Sequence, residues 1–324
     1  MALSGPERAA DGAFAPDIAF SSDGIVVRSI RGKVMGQSPT GPVIRYAATC
    51  FDPASGNTAK RVLIGRTLRG DGGSAAFHVM KQLWEGGFRD DFYTMPEPVA
   101  HLNALNLLVE GRASGRPLDV HLDDPAASQI LVRLAARWLA RFHATPLEGV
   151  PAWDVDADID RMATDSAAMA ELLPDAADRI RALSRRVATG VLGIDADIAV
   201  PTHGSFRPEN VHVGRSRIGA GDFGEVAMGH PARDLAHFIG ASLATVYRRQ
   251  GSFLPVDPWN CAFIQEYVGI EGPECLPPLP LLIASELLGH LRQRNLERNG
   301  VSADVVEAFL DECSRWLDVG NVHR

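Results

Sequence analysis

The sequence predicts an α+β protein with a small β-rich N-terminal lobe and a larger helical C-terminal lobe. Three observations carry this. From Gly24 to about Leu68, β-branched and aromatic runs are punctuated by Gly and Pro. Beyond Gly115 and Pro117, apolar residues recur at helical spacings of three and four. Near residue 112 the composition shifts from one texture to the other. The expected division is a flexible tail over 1–20, a β-rich lobe over 21–112 and a helical lobe over 113–324.

Each element has its own signal. Residues 1–20 are rich in Ala, Gly, Pro and charge, with no apolar run to hold them to a core. Ile25–Val27, Val43–Ala47 and Arg61–Ile64 read as antiparallel strands, separated by Pro39–Pro42 and Asp52–Asn57. Ala76, Phe77, Met80, Leu83 and Trp84 make one apolar helical face, and Gly86–Gly87 stops it. Pro96–Pro98 leads into a strand at Leu105–Val109. Ile130, Leu131, Leu134, Trp138, Leu139 and Phe142 form a wide helical stripe over 126–143, and the Ala-rich stretch 157–190 gives one or two more helices. A short strand around Val211–Val213 interrupts the helices, which return after Pro231.

Composition excludes several functions. The chain of 324 residues carries a net charge of −8, which disfavours a sequence-independent grip on nucleic acid. Cys50, Cys261, Cys275 and Cys313 are scattered with no C-x-x-C pair, so neither a zinc site nor a disulfide framework is expected, and a reduced, cytoplasmic compartment fits best. The N-terminal residues carry no signal-type apolar run. The most apolar stretch, Leu276–Leu291, falls short of a membrane span.

The chemistry concentrates in Thr202–Asn210, followed by Gly221–Asp222–Phe223–Gly224. His203 and Asn210 fit the spacing H-x-D-x-x-x-x-N of a kinase catalytic loop, and Asp222 begins D-F-G. Mg²⁺ takes carboxylate and carbonyl oxygens together with phosphates. Asp222 supplies a carboxylate and Asn210 an amide oxygen, and both read as metal ligands. Gly219–Gly224 also matches G-x-G-x-x-G as a string, but Gly229 and Pro231 interrupt the helix that a dinucleotide site requires.

These motifs make the chain resemble the aminoglycoside phosphotransferase/choline kinase-like family, whose loop reads H-G-D-x-x-P-x-N. Pro208 stands at the family's proline, and Gly229–Ala236 resembles its G-D-P-x-x-D-L-A. Upstream, Arg45–Tyr46, Val62–Arg66, Pro96–Pro98 and Leu107–Glu110 continue the likeness over roughly residues 25–240. The resemblance implies a two-lobed protein-kinase-like fold with ATP and Mg²⁺ as cofactors. It implies nucleotide binding by Arg66, at the strand lysine's position, and by Glu110. It makes His203 a structural residue of the loop and Asp234 a bracing one.

The departures fall on catalytic positions. Ser205 stands at the base aspartate, Arg66 at the lysine, Ser74 at the helix glutamate that seats the lysine, and His230 at the Asp of G-D-P. Arg is not a neutral replacement at a tight phosphate contact, because its fork is larger. Ser205 is either a participant that orients a substrate hydroxyl or a loop residue bonded to local backbone. Glu85 is the only nearby acid on that helix, and Lys33 in the first hairpin is a candidate replacement cation. Two functions follow. One is a nucleotide- and Mg²⁺-binding protein with impaired or absent kinase activity, serving a small-molecule acceptor or a protein partner. The alternative is an active ATP-dependent phosphotransferase on a hydroxylated acceptor.

Overall fold

Three long strands, β1 (Val26–Ser38), β2 (Gly41–Asp52) and β3 (Asn57–Thr67), open the fold. They are followed by α1 (Gly72–Leu83), β4 (Tyr93–Thr94), β5 (Pro98–Leu102), β6 (Leu107–Gly111) and β7 (Arg116–Pro117). The helices α2 (Pro125–His143), α3 (Val155–Leu172) and α4 (Ala177–Val191) come next. Four short strands follow: β8 (Val200–Thr202), β9 (Val211–Val213), β10 (Ile218–Ala220) and β11 (Ala227–Gly229). The chain ends in α5 (Ala232–Gln250), α6 (Asp257–Glu271), α7 (Leu279–Arg298) and α8 (Ala303–Val322). This computed structural model describes residues 26–38, 41–68, 72–89, 91–123, 125–195, 197–298 and 300–322, so the tail expected over 1–20 lies outside the described residues.

The chain divides into two compact units. The first holds the described residues up to Gly115 together with Leu147–Gly149 and Gly214–Glu225; the second holds Arg116–Pro146, Val150–Val213 and the chain from Val226 onward. The D-F-G turn therefore packs with the strand-rich unit, and the loop at 202–213 with the helical one.

In the first unit an antiparallel sheet runs in the order β1-β2-β3-β6-β5. Side chains on a strand alternate between faces. Ile44, Tyr46, Ala48 and Cys50 of β2 therefore share one face and pack with Leu63, Val99, Leu107 and Val109 as the core of the sheet. A Cβ at Gly65 would meet the Tyr46 ring at 2.7 Å, so glycine is required where the ring crosses β3. α1 buries Ala76, Val79, Met80 and Leu83. A π-helical turn, Trp84–Phe88, prolongs it until Gly87, at φ 107°, turns the chain out of the helix. β4 pairs in parallel with β10. The sequence predicts one strand here, Leu105–Val109, whereas the structure has two, β5 and β6, joined through Asn106 at φ 44°.

In the second unit β7 pairs with β9 and β8 with β11, and α2, α5 and α6 share an aromatic core. Trp138 and Phe142 of α2, Phe238 of α5 and Phe263 of α6 are fully buried in it. Phe238 and Phe263 stack at 4.0 Å. The Ala-rich stretch 157–190 forms α3 and α4, broken at Pro174, with Asp154 capping α3 through the Ala157 N–H at 2.9 Å. Among the described residues no helix is long and apolar enough to cross a membrane.

Candidate active site

In the strand-rich unit, three side chains meet. Arg66 Nε donates to Glu110 Oε1 at 3.1 Å, and Arg66 Nη1 lies 4.0 Å from Asp222 Oδ1. Strand register explains the first contact: Ile64 of β3 faces Glu110 of β6, so Arg66, two residues on, shares its face. Glu110 is buried, and burial raises its pKa against the pull of Arg66. Burial works against the Arg66 charge, but Glu110 and then Asp222 outweigh it and hold the guanidinium ionised. Ser74 and Glu85 are exposed, so the acid that seats Arg66 comes from a strand, not from the helix.

Asp222 sits at φ 71°, one of two non-glycine residues with positive φ among those described. A left-handed aspartate is strained, and such strain clusters at functional sites. Phe223 is buried beside it, while a third of the Asp222 side chain stays exposed. The turn thus anchors one side chain and presents a carboxylate with the other.

In the helical unit the loop 202–213 is tied down by one carboxylate. Asp234, near the start of α5, accepts from the backbone N–H of His203 (2.6 Å, Oδ2) and of Gly204 (2.8 Å, Oδ1). Gly204 adopts φ 74°, which a side chain would oppose. His143 Nε2 meets Asp234 Oδ2 at 2.9 Å, and its Nδ1 meets the Tyr267 hydroxyl at 2.6 Å. Burial pushes the Asp234 pKa up, but the His143 hydrogen bond and the charges of His143, His203 and His237 prevail and hold it at about 2.

Ser205 follows this brace. Asn210 Nδ2 donates to the Ser205 carbonyl (2.8 Å) and to its hydroxyl oxygen (3.1 Å). The Ser205 backbone N–H donates to His203 Nδ1 at 3.3 Å. The His203 ring is buried, edge-on to Trp138, Phe142 and Phe206. At His230 the ring Nδ1 accepts from the Ala232 N–H at 3.2 Å, one of the N–H groups in the first turn of α5 that find no partner within the helix. Burial lowers the His230 pKa, keeping the ring neutral and able to accept.

Two features of this loop went unread in the sequence. Phe206 is fully buried and stacks on Trp138 and Phe238 with centroids at 5.6 and 5.8 Å. It pins the loop to the aromatic core. Phe206→Ala is expected to destabilise the protein by about 3–5 kcal/mol in urea unfolding; a loss under about 1 kcal/mol would show that the loop does not depend on this anchor. The second feature is a polar cluster behind Arg207. Glu286 of α7 lies 3.1 Å from His237 Nδ1 and 3.7 Å from Arg207 Nη2. Burial opposes its ionisation, but His237, Arg207 and His290 hold it well below the carboxylate range. Burial, with Arg207, His237 and Arg248 nearby, pushes His290 down to about 4 despite Glu286. A bare H-x-x-x-x-x-x-N string carries no signal for either feature, because both depend on partners from α2, α5 and α7.

Among the described residues no group of three or more His, Cys, Asp or Glu could hold a metal ion. Mg²⁺ is commonly bound by one or two protein oxygens together with substrate phosphates, so a single presented carboxylate such as Asp222 fits that mode.

A carboxylate-braced loop in the helical unit, and in the strand-rich unit a strand arginine with a strained Asp-Phe-Gly turn, define an α+β protein of kinase-like fold. The chain belongs to the phosphotransferase enzyme family, whose model matches residues 72–273. Solved structures agree on the fold. A choline/ethanolamine kinase family protein from Mesorhizobium loti superposes with a TM-score of 0.57 at 14% identity, covering 90% of this chain and 92% of that one. The ADP-bound aminoglycoside phosphotransferase APH(2'')-Ib gives 0.52 at 12% identity, with 90% and 92% covered. Choline kinase LicA from Streptococcus pneumoniae gives 0.51 at 15% identity, with 90% and 94% covered. No curated protein matches the chain by sequence.

Proposed function

We propose that the chain binds a nucleoside triphosphate with Mg²⁺ and transfers its phosphoryl group weakly or not at all. Ser205 carries this reading. It occupies the base position of the loop, and its hydroxyl, held by Asn210 Nδ2, cannot keep a proton taken from an acceptor near pH 7. General-base assistance is worth about 10²–10⁴-fold, and Arg66 in place of a lysine compounds its loss. In this reading Asp222 and Asn210 are the metal ligands, Arg66 and Glu110 belong to the nucleotide site, and His203 and Asp234 hold the loop. Bound Mg²⁺ would neutralise phosphate charge. The binding half is supported by the retained Asp222, by family membership and by the ADP-bound relative. The four cysteines are all free, in keeping with a cytoplasmic protein that draws on cellular ATP.

The test is a thermal shift together with a turnover assay. A ligand at about a hundredfold excess over Kd stabilises the native state by about 2.7 kcal/mol. MgATP should therefore raise the melting temperature, and Asp222→Asn should weaken the effect. Amino-alcohol, sugar and aminoglycoside acceptors should give little or no ATP turnover. If no nucleotide shifts the melting curve, with or without Mg²⁺, the binding reading fails and a scaffold for a protein partner is what remains.

A further inference from the structure

The sheet face that carries Arg66 and Glu110 also gathers cations from the first three strands. Lys33 of β1 lies directly opposite Arg45 of β2, and Arg45 directly opposite Ile64 of β3, which in turn faces Glu110. One row away Arg31 faces Ala47; two residues along β3 from Ile64, Arg66 faces Val43. Alternation puts all of these on one face, with the buried apolar cluster of Ile44, Tyr46 and Leu63 on the other.

Like charges directly opposite on neighbouring strands repel, and a stable sheet normally places a carboxylate between them. In this unit Arg61 and Arg66 pair with carboxylates, whereas among the described residues no carboxylate pairs with Lys33, Arg45 or Arg31. The chain as a whole is at −8, so this is a local concentration of positive charge and not a reflection of composition. Arg66 adds less to that charge, because Glu110 and Asp222 both lie against its guanidinium. Beside the cations, Val43, Val62 and Ile64 form an apolar strip that is only half-buried, unlike the residues of the opposite face. An apolar strip flanked by unpaired cations matches a ligand with a flat apolar end and a polyanionic end.

We propose that Lys33 and Arg45 form a cross-strand cation pair that, together with Arg66, holds the polyphosphate of a nucleoside triphosphate. The base lies on the strip of Val43, Val62 and Ile64, and Arg31 adds a flanking charge. The inference rests on the nucleotide-binding reading above and assigns its phosphate-side residues.

Isothermal titration of the whole protein tests it. Lys33→Gln/Arg45→Gln is expected to weaken MgATP at least about tenfold and to flatten the salt dependence of binding, while adenosine binds as to wild type. Lys60→Gln, a cation on the same face opposite Thr49, should leave MgATP affinity unchanged. The melting temperature of the ligand-free double variant should hold or rise, since a repulsion is removed, which separates lost binding from lost folding. Wild-type binding of MgATP with equal affinity in the double variant overturns the cation pair and leaves Lys33 and Arg45 as charges that only protect an exposed sheet. Equal losses for MgATP and adenosine also overturn it. No nucleotide binding by the wild type overturns the nucleotide reading, and this inference with it.

Discussion

Asp234→Asn should lower stability by about 3–5 kcal/mol at pH 7, the cost of breaking a buried charged network. Asp234 is fully buried, and its two oxygens accept from the His203 N–H, the Gly204 N–H and His143. An asparagine offers one acceptor oxygen. Its NH₂ must then face a backbone N–H or the imidazole, leaving at least one buried donor without a partner. The loss is also pH-dependent. The Asp234 pKa is held at about 2, below its ordinary value of 3.8. A depressed carboxylate pKa adds stability that is fully present above the ordinary value and is lost as pH falls through the folded one. That share is about 2–3 kcal/mol. Urea unfolding at pH 7 and near pH 2 should therefore show the gap between wild type and Asp234→Asn narrowing in acid. A gap that stays constant across that range would mean that Asp234 ionisation adds nothing to the fold.

The parts of this site that the sequence disclosed are those fixed by short spacing. His203, Ser205, Asn210 and Asp222 stand in a motif whose residues are close in sequence, so the string alone singles them out as candidates. The strands at 43–47 and 61–64 were visible because β-branched runs alternate there, and they lie within β2 and β3. β5 was not visible, because Pro98–Leu102 is a five-residue strand that begins with proline and shows no alternation. Partners distant in sequence were not visible either. Glu110 reaches Arg66 through a β3–β6 register that no local pattern reveals. Phe206 reads as an ordinary loop aromatic until α2 and α5 close on it. His230 reads as a lost aspartate, yet in the fold its ring accepts from the Ala232 N–H at the start of α5.

Ser205→Asp alone should raise phosphoryl transfer by less than about tenfold, and Ser205→Asp combined with Arg66→Lys by about 10²–10⁴-fold over wild type. The loop already holds a donor for the new carboxylate, because Asn210 Nδ2 lies 3.1 Å from the Ser205 hydroxyl. Asp234 fixes the preceding backbone whichever residue stands at 205. A base alone is not enough, because phosphoryl transfer depends on how the phosphates are seated. Arg66 meets Glu110 with its Nε and turns the rest of a wide fork toward Asp222. A lysine there keeps Glu110 as its partner but presents one compact charge to the phosphates. Single-turnover measurements with MgATP and the acceptor panel would compare the four proteins. If Ser205→Asp alone gives the full gain, Arg66 seats the phosphates as well as a lysine does. A brisk wild-type rate that Ser205→Ala leaves unchanged would sink the weak-transferase reading altogether. The base would then have to be another acid of the retained motifs, with Glu209 and Glu225 the first to substitute.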